Sequence, residues 1–136
     1  MSAFIDTSAL YALLVRTEDG HRAVMSAFET LLENGRTLHT TSYVLVETVA
    51  LLQHRIGLEP VRDLEEHLVP LFSVEWIAAP VHQRATQRLL RANRRGLSLV
   101  DCVSLEVMAA RGLRDALALD RHFAEAGHRL LPAERI

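Results

Sequence analysis

Short apolar runs alternate along this chain with longer stretches of helical periodicity, and that alternation leaves few architectures open. Ala3-Phe4-Ile5 reads as a buried strand, followed by a helix from about Thr7 to Val15. After Gly20, apolar positions at Ala23, Val24, Ala27, Phe28, Leu31 and Leu32 keep the three-four spacing of a helix face, and Gly35 closes it. Thr37-Leu38-His39-Thr40 fits a second strand, and Ser42 is placed to cap the apolar helix that runs to Gly57. Glu59-Pro60 opens another helix, and Val74-Glu75-Trp76-Ile77 reads as a third strand. A polar helix is expected from Pro80 through Arg95, closed by Gly96, and the next from Ser98 to Gly112. Ala116-Leu117-Ala118-Leu119 is the fourth strand, a short helix from Arg121 stops at Gly127, and His128-Arg129-Leu130-Leu131 is an edge strand before Pro132. Short apolar strands that alternate with helices need a parallel sheet covered on both faces. The expected fold is therefore α/β: a three-layer α/β/α sandwich with a central parallel sheet, in which ligands gather beyond the carboxyl ends of the strands.

At 136 residues, with no repeat or linker, the chain is expected to form one domain over 1–136. A net charge of -2 argues against a general nucleic-acid coat, although it leaves room for an enzyme that grips nucleic acid locally. All fifteen basic residues are Arg, which is read as compositional bias. No apolar stretch is long enough to cross a bilayer and the first residues lack the pattern of a signal peptide. The lone Cys102 excludes an internal disulfide framework. A cytoplasmic protein without membrane contact is expected.

Four carboxylates stand in telling places. Asp6 follows the first strand and Asp120 the fourth, at the sheet edge where a parallel fold keeps its site. Glu47 interrupts the nearly apolar helix Tyr43–Leu52, and Asp101 interrupts Leu97–Val103; a carboxylate in either place is costly to bury unless paired or metal-bound. Each also has an ordinary reading. Asp6 and Asp120 suit helix N-caps, Asp101 stands three residues after Ser98 as in a capping box, and Glu47 fits a partly exposed helix position. Four such acids converging on one edge are harder to explain as unrelated caps.

The blocks Ile5-Asp6-Thr7-Ser8-Ala9-Leu10, Val46-Glu47-Thr48, Leu97-Ser98-Leu99-Val100-Asp101-Cys102 and Ala116–Phe123, followed by Gly127 and Leu130-Leu131-Pro132, lie in the order and spacing of a known family. The chain resembles the PIN-domain family and, more narrowly, VapC-type toxins of VapBC-like toxin–antitoxin pairs. The likeness spans nearly the whole chain. It departs at Ala118, where members often carry Ser or Thr two positions before the last acid. The resemblance implies a metal-dependent endoribonuclease in which Asp6, Glu47, Asp101 and Asp120 hold the cation, directly or through waters. Crowded carboxylates repel, and Mg²⁺ or Mn²⁺ is the natural ion for an all-oxygen site. Thr7 and Ser8, at a helix N-terminus, either support a water or phosphate or simply cap the helix. The resemblance also implies an RNA substrate, a homodimer and a cognate antitoxin, for whose groove the apolar residues Leu10, Leu13, Leu14, Val24 and Phe28 are candidates, unless they are core.

Arg84, Arg88, Arg91 and Arg95, with Arg94 beside them, recur at helical spacing as a basic stripe that suits RNA backbone phosphates or a solvated face. Phe72 and Trp76 are read as core, Cys102 as a packed thiol, Glu106 as an ordinary helix residue, and His122 as a surface residue at a helix start. The seven His show no zinc spacing. Two other functions compete: a non-catalytic PIN-like module that binds RNA or protein, and a phosphatase with Asp6 as nucleophile. The phosphatase reading lacks its usual second Asp, since Ser8 occupies that position.

Overall fold

Strand β1 (Ser2–Ile5) carries Ala3, Phe4 and Ile5 with no solvent exposure, so both of its faces are covered. Only a central strand of a sandwiched sheet meets that condition. The computed structural model describes residues 2–133 and places β1 in the middle of a five-stranded sheet ordered β3-β2-β1-β4-β5. The other strands are β2 (Thr37–Thr41), β3 (Phe72–Glu75), β4 (Asp115–Leu117) and β5 (Arg129–Leu131). Every pairing is parallel. Parallel neighbours need crossovers, and helices supply them: α1 (Thr7–Leu14), α2 (His21–Glu33), α3 (Ser42–Arg55), α4 (Glu59–Asp63), α5 (Ala79–Ala92), α6 (Leu99–Arg111) and α7 (His122–Glu125). Beyond α4 the chain continues through a π-helical turn, Leu64–Leu68, and a 3₁₀ turn, Val69–Leu71, into β3. The three-layer α/β/α arrangement is the one the apolar pattern predicts. No helix among the described residues is long and apolar enough to cross a membrane.

Local boundaries differ from expectation in instructive ways. β3 begins and ends two residues earlier than Val74–Ile77, which leaves Trp76 beyond the strand and 75% exposed rather than in the core. Phe72 does pack against the core, though only partly buried. β4 stops at Leu117 and not at Leu119, so Asp120 stands on the loop after it and does not follow the strand directly. The cap of α3 is Thr41, whose hydroxyl accepts from Val44 N–H at 3.1 Å; Ser42 is the first helical residue and instead accepts from Ile77 N–H at 2.9 Å. α5 ends at Ala92 because Asn93 turns left-handed at φ 51°, a conformation Asn adopts more readily than most side chains. Arg94 and Arg95 therefore lie outside the helix. Leu10, Leu13, Val24 and Phe28 are buried, and Leu14 packs against them, so these residues are core and form no open groove.

At the opposite edge from the acids, β4 opens with a buried carboxylate. Asp115 accepts from Arg36 Nη2 at 2.7 Å and from Arg129 Nε and Nη2 at 2.9 and 2.8 Å. These two guanidinium groups hold its carboxyl below the usual range, Arg129 foremost, although burial opposes them. Arg36 has a side chain only 11% exposed and also donates to Ser2 C=O at 2.8 Å, tying β1 to β4. Asp115→Ala would strand a buried guanidinium, and breaking a buried pair on one side costs about 3–5 kcal/mol. A melting temperature roughly 10 °C or more below wild type is expected from calorimetry. A loss under about 1 kcal/mol would mean that the pair is solvent-screened.

Candidate active site at the carboxyl edge of the sheet

β1 delivers Asp6 to the edge of the sheet, where the chain leaves extended geometry and enters α1. Asp6 is the N-cap of that helix: its Oδ2 accepts from Ser8 N–H at 3.1 Å and Ser8 Oγ–H at 2.7 Å. Its other oxygen, Oδ1, is buried and has no hydrogen-bond partner. The cap and site readings are thus compatible, because one oxygen serves the helix and the other remains open. Burial pushes the Asp6 carboxyl up to about 6; the Ser8 bonds oppose this, and the charges of Asp101 and Glu47 add to it.

The other three acids come to the same edge from different elements; among the described residues Asp101 and Asp120, with His122, have ligand atoms within 4.8 Å of one another, and Asp6 and Glu47 stand outside that group. Asp101 is the third residue of α6 and closes a capping box: Ser98 Oγ accepts from Asp101 N–H at 3.0 Å, and Asp101 Oδ2 accepts from Ser98 N–H at 3.0 Å. Although it forms this cap, its residue remains 8% exposed among the apolar side chains of α6. Glu47 projects from α3, half-buried, and its carboxyl is raised by burial and by the charges of Asp101 and Asp120, while the neighbouring Thr7 hydroxyl opposes them. Asp120 Oδ1 accepts from His122 N–H at 3.0 Å. Asp6 feels Asp101 and Glu47, and Glu47 feels Asp101 and Asp120, so the four carboxylates form one electrostatic cluster. A set that raises its own members' affinity for protons is short of positive charge.

Thr7 and Ser8 act as struts. Ser8 Oγ also accepts from Leu119 N–H at 2.9 Å, which ties the loop carrying Asp120 to the start of α1. Thr7 Oγ1 donates to Val44 C=O at 3.3 Å and accepts from Thr48 Oγ1 at 3.2 Å, fixing α1 on α3 one residue from Glu47. His122 is not the surface residue its place at a helix start suggests. Its side chain is only 16% exposed, with Nε2 3.4 Å from Asp120 Oδ1 and 3.8 Å from Asp101 Oδ2. Nε2–H donates to Gly96 C=O at 2.9 Å. The ring therefore bridges the turns that carry Asp101 and Asp120, and these three side chains offer ligand atoms within 4.8 Å of one another. The signal was present in Asp120-Arg121-His122: an Asp that bonds the backbone N–H two residues on brings that residue to its own carboxylate.

The Arg stripe is not one stripe. Glu106 on α6 draws in Arg88 Nε at 2.8 Å and Arg84 Nε at 3.5 Å, so it is an anchor and not a bystander. Arg91 is exposed on α5, Arg95 lies past the helix, and Arg94 pairs with Glu125 at 3.1 Å. Cys102 is fully buried, with its thiol pushed up by burial, which suits packing and not attack.

Residues 3–129 match the PIN domain. Over 125 residues, 91% of this chain and 93% of the relative, the sequence is 31% identical to the 23S rRNA-specific endonuclease VapC20 of Mycobacterium tuberculosis. The crystal structure of that sarcin-ricin loop cleaving toxin superposes with a TM-score of 0.80 at 30% identity, covering 93% of this chain and 95% of that one. VapBC2 of Rickettsia felis, solved bound to a DNA fragment from its promoter, shares the fold at a TM-score of 0.69 and 13% identity, with 96% and 97% covered. The chain belongs to the PIN-domain family, in its VapC-type branch.

Proposed function

We propose that the chain is a metal-dependent endoribonuclease that hydrolyses RNA phosphodiesters, the toxin of a toxin–antitoxin pair, with Asp6, Glu47, Asp101 and Asp120 as its metal-holding acids. One observation carries the site: Asp6 Oδ1 is buried and unpartnered at the edge to which Glu47, Asp101 and Asp120 also come, and burial, helped by neighbouring carboxylates, raises Asp6 and Glu47. A hard divalent cation, Mg²⁺ or Mn²⁺, fits such an all-oxygen donor set. When bound it supplies Lewis acidity and positive charge at the scissile phosphodiester. The chain's own residues do the rest. Ser8 orients Asp6 and the Asp120 loop together, and the Ser98 box aims Asp101. The His122 backbone N–H holds Asp120, and its ring, donating to Gly96 C=O, packs beside Asp101 and Asp120. In the hydrolysis, the oxygen of water bonds to phosphorus, one P–O ester bond breaks, and the departing oxygen takes up a proton. The RNA specificity of the VapC20 relative supports RNA as the substrate class, and its description as a toxin supports the toxin assignment. The assembly that follows is a homodimer restrained by a cognate antitoxin.

The test is RNA cleavage followed on a gel with Mg²⁺, Mn²⁺ or a chelator, beside colorimetric phosphate release from monoesters. Metal-dependent RNA fragments without monoester hydrolysis are expected; the opposite result would favour the phosphatase reading. Substrate grip is assigned to the α5 arginines Arg84, Arg88 and Arg91 with Arg95 beyond them, of which Arg91 is the strongest candidate. Replacing Arg91 with Gln should weaken RNA binding across sequences and reduce its salt slope by about one unit. Arg88→Gln should do less, since Glu106 already neutralises Arg88. Equal slopes for wild type and Arg91→Gln would make α5 a solvated face.

A further inference from the structure

The one tryptophan of the chain stands in water on the same edge of the sheet as the acids. Continuing the β1–β2 register, in which Phe4 faces His39, by two residues sets Asp6 level with Thr41. Thr41 in turn faces Glu75, the last residue of β3. Trp76 therefore emerges one residue beyond the level of Asp6 and two strands away, about 10 Å at the spacing of neighbouring strands.

Its exposure is not that of a loose loop. On one side, Glu75 is held by Arg111 at 2.6 Å, which also neutralises the carboxylate beside the indole. On the other, Ile77 N–H donates to Ser42 Oγ at 2.9 Å, and Ile77 packs against the core. The chain is fastened at both neighbours while the most costly apolar side chain it possesses is left 75% exposed. Single-stranded RNA offers what such a platform fits: unpaired bases with two apolar faces, which proteins bind by stacking them on aromatic rings.

We propose that Trp76 is a stacking platform for an unpaired RNA base flanking the scissile phosphodiester. This rests on the endoribonuclease reading, and it makes Trp76 a determinant of substrate binding and not of the chemistry. An indole beside the phosphate-handling edge selects RNA that is single-stranded there, such as a loop, over a closed duplex whose bases are already stacked.

Because Trp76 is the sole tryptophan, its fluorescence reports directly on its own surroundings. The experiment titrates the cleavage-impaired Asp6→Asn protein with a short single-stranded RNA, and separately with an abasic RNA of equal length and phosphate number. The base-bearing RNA should quench Trp76 emission; the abasic RNA should bind without quenching. In fluorescence anisotropy with labelled RNA, Trp76→Ala should weaken binding of the base-bearing RNA by roughly 5- to 150-fold, the range seen for losing one stacked base. Trp76→Phe should restore much of it, and binding of the abasic RNA should not change. The exposed position lets both variants fold, which melting curves verify. Unquenched emission at saturating RNA would overturn the proposal, as would equal affinity in Trp76→Ala. An emission change that follows protein concentration without RNA would also overturn it and assign Trp76 to contact between copies. RNA cleavage by the wild type decides the endoribonuclease reading independently of any of these results.

Discussion

Asp6→Asn is expected to abolish metal-dependent RNA cleavage while leaving the fold intact. Asn keeps the shape of Asp and its capping oxygen for Ser8, so α1 retains its start. What is lost is the negative charge on the one acid among the described residues whose second oxygen is buried and unpartnered. Removing a residue that merely supports a metal ligand costs about 10–100-fold in affinity or activity, so if Asp6 holds the cation as proposed its loss should exceed about 100-fold. Raising Mg²⁺ or Mn²⁺ should recover only part of the rate. The comparison protein is Ser8→Ala, which removes the hydroxyl that joins Asp6 to Leu119 and spares every carboxylate. It should fall in the milder range and respond more fully to added metal. Cleavage by a folded Asp6→Asn protein at the wild-type rate would take the acid cluster out of the mechanism.

Much of this site was legible in the sequence because its acids sit where their environments are unusual. Asp6 ends a run with no exposed side chain, and Asp101 interrupts an apolar helix, so each stood out against its neighbours. The layer architecture was equally legible, since β1 and β4 are buried on both faces and leave no polar alternation to confuse strand with loop. The opposition between cap and site proved unnecessary. Asp6 and Asp101 each use one oxygen for a helix start, and helix starts are where a parallel sheet brings its acids together.

The misplacements have a common physical cause, which is weak constraint from neighbours. β3 is an edge strand with one partner, so its half-buried residues carry no strong alternation, and a large apolar side chain just beyond it passed for core. The end of α5 was overrun because arginines keep helical spacing through Arg95, whereas the backbone turns at Asn93. His122 and Glu106 read from the sequence as ordinary helix residues for a different reason. Their partners, Asp101 and Gly96 for one and Arg84 and Arg88 for the other, are distant in sequence; the packing of α5 on α6 brings Glu106 to its arginines, and the start of α7 lying beside the start of α6 brings His122 to Asp101 and Gly96.

Melting temperature should accordingly depend on pH and on cation in a linked way. In metal-free protein the Asp6 carboxyl titrates near 6 when folded and near its ordinary value of 3.8 when unfolded. Between these values the folded chain holds a proton that the unfolded chain has released, so stability falls as pH rises through the window. By pH 7 the whole penalty is present, on the order of 3 kcal/mol for a shift of about two units. A cation that binds only the folded chain opposes it by RT ln(1 + [L]/Kd), about 2.7 kcal/mol at a hundredfold excess over Kd. With each kcal/mol worth roughly 3–5 °C in a domain of this size, Mn²⁺ at pH 7 should raise the melting temperature by about 8–13 °C. At pH 5 the gain should be much smaller, because protons then compete for the same oxygens. Asp120→Asn retains an oxygen to accept the His122 N–H but removes one of the charges that raise Glu47. Its metal-free form should therefore melt no lower than wild type, and its gain from Mn²⁺ should shrink severalfold. If Asp120 were only a cap, Asn would serve about as well and the metal response would survive whole. An undiminished Mn²⁺ shift in Asp120→Asn would remove that residue from the site, and a shift independent of pH would remove Asp6.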